Sequence, residues 1–86
     1  MYTYSFEKLE VWVESKDFTK RIYLVTSKFP DTEKFGLTSQ LRRASVSISS
    51  NIAEGPARKS YKDKAHFSTI AFGSSVEVLN QLIIAI

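Results

Sequence analysis

The chain has 86 residues, no cysteine and one histidine, and its 12 basic and 9 acidic side chains give a net charge of +3. This length corresponds to one small domain. The lack of cysteine excludes disulfides and thiolate metal sites, and a single histidine offers little for zinc binding or general-base catalysis. No apolar run approaches the roughly 20 residues of a membrane span and no basic-then-apolar leader opens the chain, so we expect a cytoplasmic protein without membrane contact.

Three helical segments account for nearly the whole chain, and no strand pattern persists. The predicted helices span about residues 6–28, 38–54 and 60–86. Pro30 ends the first, because the residue before a proline is pushed towards extended geometry. Thr38 and Ser60 are the predicted N-caps of the second and third. We therefore expect an all-α fold and one helical-bundle domain over residues 1–86.

Apolar side chains recur at helical spacing and predict the faces that pack together. On the second helix these positions are Leu37, Leu41, Ala44, Ile48 and Ile52. Trp12 and the six phenylalanines fall mainly at similar spacing, which predicts that they belong to the core. The third helix is still strongly apolar over residues 79–86, and exposed apolar patches normally mark an interface. Either another chain covers this end, or a final helix is missing; we favour the missing helix and also expect self-association.

A polar stripe runs beside the apolar face of the second helix. Its members are Gln40, Arg43, Ser47, Asn51 and Glu54. Helices two and three should run antiparallel through a short turn, which brings Glu77 near Arg43. We interpret these six residues as a structural or interface network. A catalytic interpretation, with Glu54 or Glu77 as general base, lacks a nucleophile and a metal site, so we expect no enzyme activity, no cofactor and no small-molecule substrate.

The excess positive charge is concentrated in residues 38–66, which hold six basic and two acidic side chains and so carry a charge of +4. Exposed cations release counterions from a nucleic acid, and Tyr61 could stack on a base. The predicted RNA-contacting residues are Arg42, Arg58, Lys59, Lys62 and Lys64. The alternative is a solvated turn that only aids solubility.

Two motifs of the second helix are the most specific in the chain: Gln40-Leu-Arg-Arg-Ala44 and Asn51-Ile-Ala-Glu-Gly55. Further stretches accompany them in order, namely Phe6-Glu-Lys-Leu-Glu-Val-Trp12, Phe29-Pro30, Phe35-Gly-Leu-Thr-Ser39, Phe67, Ile70-Ala71, Gly73-Ser74 and Glu77. On these residues the chain resembles the 23S rRNA-intervening sequence protein family, which consists of four-helix-bundle proteins.

The resemblance implies an antiparallel up-down bundle of the four-helix type, with the last helix missing from this chain. It also implies assembly into small rings, with the pentamer as the expected form, and an association with rRNA that does not itself define a biochemical activity. The rival interpretation is a purely structural assembly module with no nucleic-acid ligand.

Overall fold

A computed structural model describes residues 5–85, and every regular element in that range is helical, which confirms the all-α prediction. The three α-helices are α1 (Glu10–Thr26), α2 (Leu37–Glu54) and α3 (Tyr61–Ala85). Short 3-10 turns lie at Ser5–Lys8, Asp31–Glu33 and Gly55–Ala57. The predicted last residue of the third helix, Ile86, lies outside the described residues.

The helix starts follow the local sequence signals only in part. The predicted start of α1 near residue 6 is wrong, because the residues before it form a separate 3-10 turn and Leu9 is extended. α2 begins after Gly36 without a side-chain cap, and Thr38 is a buried residue inside the helix rather than its N-cap. At α3 the prediction is confirmed, since the Asp63 N–H donates to the Ser60 hydroxyl at 3.1 Å.

α2 occupies the centre of the fold and carries the core. It packs against α1 on one side and α3 on the other, whereas α1 and α3 scarcely touch. The buried cluster consists of Leu41, Ala44 and Ile48 with Ile22 of α1 and Val78 of α3. Leu37 and Ile52 are partly buried against this cluster, so the predicted apolar face of α2 is confirmed.

Hydrogen bonds between the helices show that neighbours run antiparallel. The Thr19 hydroxyl donates to the Ser45 carbonyl at 3.0 Å, and Arg42 Nε donates to the Thr26 hydroxyl at 2.9 Å. A residue later in α1 thus meets a residue earlier in α2. Ser45 has no exposed surface, so this polar contact lies inside the α1–α2 interface.

An open groove, here called the α1–α3 groove, separates the two outer helices. Ile48 and Ile52 form its floor, and its walls include Phe18 of α1 and Leu79 and Leu82 of α3. Leu79 is 59% exposed. Because no described element covers this side, a broad apolar face of α1 meets solvent.

The prediction that the phenylalanines belong to the core is therefore wrong for part of the set. Phe18, Phe35 and Phe72 are exposed, and none of the six is fully buried. Phe18 lines the α1–α3 groove, Phe72 lines a neighbouring pocket beside Gly55 and Pro56, and Phe35 lies in the connection before α2. Helical spacing identifies an apolar face but does not say whether another element covers it.

Candidate functional site

The polar stripe of α2 forms a hydrogen-bonded seam with α3. The Ser74 hydroxyl donates to the Ser47 hydroxyl at 2.9 Å. Asn51 Nδ2 donates to the Ser47 carbonyl at 2.8 Å and to the Ser47 hydroxyl at 3.1 Å. Ser74 is buried, and short side chains at these positions let the two helices approach closely. This polar seam joins α2 to α3 within one chain.

Gln81 extends the polar seam, and sequence reasoning missed it. Its Nε2 donates to Gln40 Oε1 at 3.3 Å and to Glu77 Oε1 at 3.1 Å. The side chain is only 4% exposed, and its Oε1 has no hydrogen-bond partner among the described residues. A sequence signal existed, because Gln81 follows Ser74 by seven residues and Glu77 by four and therefore shares their face of α3.

Arg43 and Glu77, which the sequence predicts to lie near each other, do not form an ion pair. Both side chains are exposed, and Arg43 makes no hydrogen bond or ion pair with any described residue. Glu77 instead accepts the hydrogen bond from Gln81. An exposed ion pair contributes only about 0–1 kcal/mol, whereas a buried amide group requires a partner. Glu77 therefore accepts a hydrogen bond from the buried Gln81 amide and does not pair with Arg43.

Glu54 pairs with Arg58 rather than with α3. Arg58 Nη2 lies 2.8 Å from Glu54 Oε1, and its guanidinium carbon lies 4.8 Å from the centroid of the Phe67 ring. The side chains of Arg58 and Glu54 are 43% and 53% exposed. The sequence had suggested Glu54 for the structural network and Arg58 for RNA contact. Glu54 thus lies outside the polar seam, and Arg58 has its charge partly compensated.

The four cations after α2, Arg58, Lys59, Lys62 and Lys64, are here called the basic turn. The three lysines are exposed and form no ion pair with the described residues. Tyr61 is 89% exposed, and Lys64 Nζ lies 5.6 Å from the centroid of its ring. With Arg58 already paired, the lysines carry the charge that remains available to a ligand.

Arg42 lies away from the basic turn and faces α1. Besides the bond from its Nε to Thr26, its Nη2 donates to the Tyr23 carbonyl at 3.4 Å, and its guanidinium lies 4.6 Å from the centroid of the Tyr23 ring. Between Arg42 and Glu54 the axis of α2 rises by about 18 Å. The predicted RNA-contacting residues therefore do not form one surface.

A second cationic surface, also missed by sequence reasoning, surrounds Arg42. This cationic groove has a volume of about 770 Å³ and is lined by Tyr23, Lys34, Phe35, Thr38, Ser39, Arg42, Arg43, Val46 and Ser47. Three of these side chains are cations, and none of the described carboxylates lines the groove. Its members come from α1, from the connection before α2 and from α2 itself, so their proximity appears only on folding.

The remaining chemistry of the described residues is limited. Among residues 5–85 no three histidine, aspartate or glutamate side chains come together as a metal site. α3 is long and apolar enough to cross a bilayer by length and composition alone, which the sequence interpretation did not anticipate. One such helix is weak evidence for a membrane protein, and the buried positions of α3 include the polar Ser74 and Gln81.

The protein is therefore all-α, with antiparallel neighbouring helices. Some of its described polar side chains form hydrogen bonds between helices, and its exposed lysines and arginines make parts of the surface positively charged. The chain belongs to the 23S rRNA-intervening sequence protein family, because the model of that family matches residues 7–86. The resemblance seen in the sequence is thereby confirmed. No curated protein matches the chain significantly.

Proposed function

We propose that this member of the family is a non-enzymatic, cytoplasmic, self-associating helical protein that binds RNA through the basic turn. The observation that carries the proposal is the set of exposed lysines in that turn, which have no acidic partner among the described residues. Positive charge at the start of α3 opposes the helix dipole, so helix stability does not account for it. Phosphate contact does, because exposed lysines and free amide groups at a helix start both attract anions.

The test compares two triple alanine variants that lose the same charge. The basic-turn variant replaces Lys59, Lys62 and Lys64. The control variant replaces three other exposed lysines, Lys8, Lys20 and Lys28. We expect the basic-turn variant to bind a labelled RNA more weakly at low salt and to lower the slope of log affinity against log salt by about 2. An equal loss of RNA affinity in both variants, or no RNA binding by the wild type, would contradict the proposal.

Self-association is supported by an exposed apolar face on α3. Its members, Phe72, Val76 and Ile83, recur at helical spacing, are each at least half exposed and lie outside the α1–α3 groove. Contiguous exposed apolar side chains are typical of interfaces. We expect copies of the chain to bury this face in a small ring, with the pentamer implied by the family resemblance as the reference case.

Sedimentation tests this assembly. A Val76→Glu/Ile83→Glu variant should sediment as a smaller species than the wild type, and Leu24→Glu, which charges an exposed apolar position on α1, should not. An oligomer that binds no RNA at low salt would favour the alternative, a purely structural assembly module. Loss of the oligomer in Asn51→Leu, with RNA binding intact, would assign the polar seam to assembly.

We further propose that a fourth, amphipathic helix completes the bundle by packing in the α1–α3 groove. The groove has a volume of about 450 Å³, and the apolar side chains of its floor and walls match the face that such a helix presents. Because the chain has no cysteine, the labelling rate of a single Leu79→Cys thiol reports coverage directly. A rate as fast as that of Leu24→Cys would show that nothing packs there.

A further inference from the structure

The cationic groove is a charged surface that the proposed role of the basic turn does not explain. Arg43 and Lys34 are exposed within it, and neither forms an ion pair with a described residue. We propose that this groove binds a single-stranded segment of nucleic acid, with a base stacked on Phe35 and phosphates held by Arg43 and Lys34. This inference rests on the proposed RNA-binding function but assigns the base contact to a different surface.

Phe35 is the first observation that points to such a ligand. Its side chain is 90% exposed, and Lys34 Nζ lies 5.5 Å from the centroid of its ring. Leaving an aromatic ring in water forgoes the stabilisation that burial would provide, so core packing does not explain this position. An exposed ring with a cation beside it offers one surface for a base and a charge for the adjoining phosphate.

Tyr23 and Arg42 also line the groove. Tyr23 is 43% exposed, and Arg42 covers its ring while donating to its carbonyl. These contacts use Nε and Nη2 of Arg42, so the guanidinium retains further N–H donors. Arg42 is therefore a positioning residue for Tyr23 that can also add charge to the groove. Arg43 and Lys34 supply the unpaired cations.

The chemistry of the lining favours a single strand over a duplex. Bases in a duplex are stacked on each other, so an exposed protein ring gains nothing from them, whereas an unstacked base can lie on it. The start of α2, which lacks a side-chain cap, adds positive potential beside Ser39. Glu33, the acid at the neighbouring turn, lies close to Gly36 and does not line the groove.

The experiment measures the binding of a short adenine-rich single-stranded RNA by fluorescence anisotropy, with the matching duplex, the DNA strand and inorganic polyphosphate as comparison probes. Phe35→Leu keeps an apolar side chain and removes the ring, and Arg43→Gln removes one charge. The matched controls are Tyr61→Leu, at the other exposed aromatic, and Arg21→Gln, at an exposed cation of α1. All four positions are exposed, so the variants should keep the fold, which circular dichroism checks.

We expect Phe35→Leu to weaken binding of the single strand by about fivefold or more, without changing its salt dependence or binding of the duplex. Arg43→Gln should lower the salt slope by about 0.7, and both controls should behave like the wild type. A difference in affinity between the RNA strand and the DNA strand would identify which polymer the groove prefers, and a preference for either one supports the proposal.

Two other results overturn the inference while leaving the proposed function intact. The first is that Tyr61→Leu or the basic-turn variant weakens binding of the single strand while Phe35→Leu has no effect on it. The other is equal binding of polyphosphate and RNA that depends on Arg43 alone, which would make the groove a simple anion site. If the wild type binds none of the nucleic acids, the proposed function itself fails.

Discussion

Replacing Gln81 with methionine should stabilise the protein, although the change removes two hydrogen bonds. The side chain is 4% exposed, and its Oε1 has no partner among the described residues. A buried polar atom without a partner costs about 1–3 kcal/mol. The bonds from its Nε2, at 3.1 and 3.3 Å, go to the exposed residues Glu77 and Gln40, which water can satisfy instead. A hydrogen bond to a charged group can contribute about 1.5–3 kcal/mol, but here both acceptors become hydrated once the amide is removed, so we take a loss of about 0.5 kcal/mol for each bond and a net gain of about 1 kcal/mol.

Thermal unfolding followed by circular dichroism measures this gain. For a domain of this size, about 1 kcal/mol raises Tm by about 4–8 °C. Gln40→Met is the matched control, because it makes the same change at an exposed position and removes only the hydrogen bond. It should alter stability by less than about 0.5 kcal/mol. All samples need one protein concentration, because self-association makes Tm depend on it. Destabilisation by Gln81→Met, or an equal effect of both variants, would refute the reasoning.

Two further substitutions test the contacts of the predicted cations. Arg42→Lys loses the Nε hydrogen bond to Thr26 and the planar contact with Tyr23. It should therefore lower the free energy of unfolding, measured by urea denaturation, by about 1 kcal/mol. An unchanged urea midpoint would show that these contacts do not stabilise the α1–α2 packing. Glu54→Gln should change stability by less than about 0.5 kcal/mol, because its pair with Arg58 is exposed, and should strengthen RNA binding by freeing that cation. Weaker RNA binding by Glu54→Gln would argue against phosphate contact at Arg58.

The apolar face of α2 could be predicted because this helix is covered on both sides. Leu41 and Ile48 are buried there, at the spacing that the sequence shows. The same spacing on α1 predicted burial of Phe18, which is exposed because, among the described α-helices, α1 packs closely against α2 alone. Periodicity therefore located the faces of the helices, and the arrangement of the helices decided how much of each face became core.

The details of the candidate sites depend on register and side-chain direction, which the sequence does not specify. A pairing of Arg43 with Glu77 was reasonable for antiparallel helices, yet the buried amide of Gln81 takes Glu77 as its acceptor. Arg42 and Arg43 are adjacent in sequence but differ in environment: Arg42 turns to α1, and Arg43 stays in solvent. Helical geometry separates adjacent side chains by about 100°, so neighbouring arginines need not share a role.

The central position of α2 also has a consequence for how the chain folds and opens. Since α1 and α3 scarcely touch, the fold consists of two helical hairpins that share one helix, and nearly all its contacts join consecutive segments. Such local topology favours rapid folding. It also means that either outer helix can detach while the other hairpin stays paired, so amide hydrogen exchange should be slowest in the middle of α2 and faster in α1 and α3.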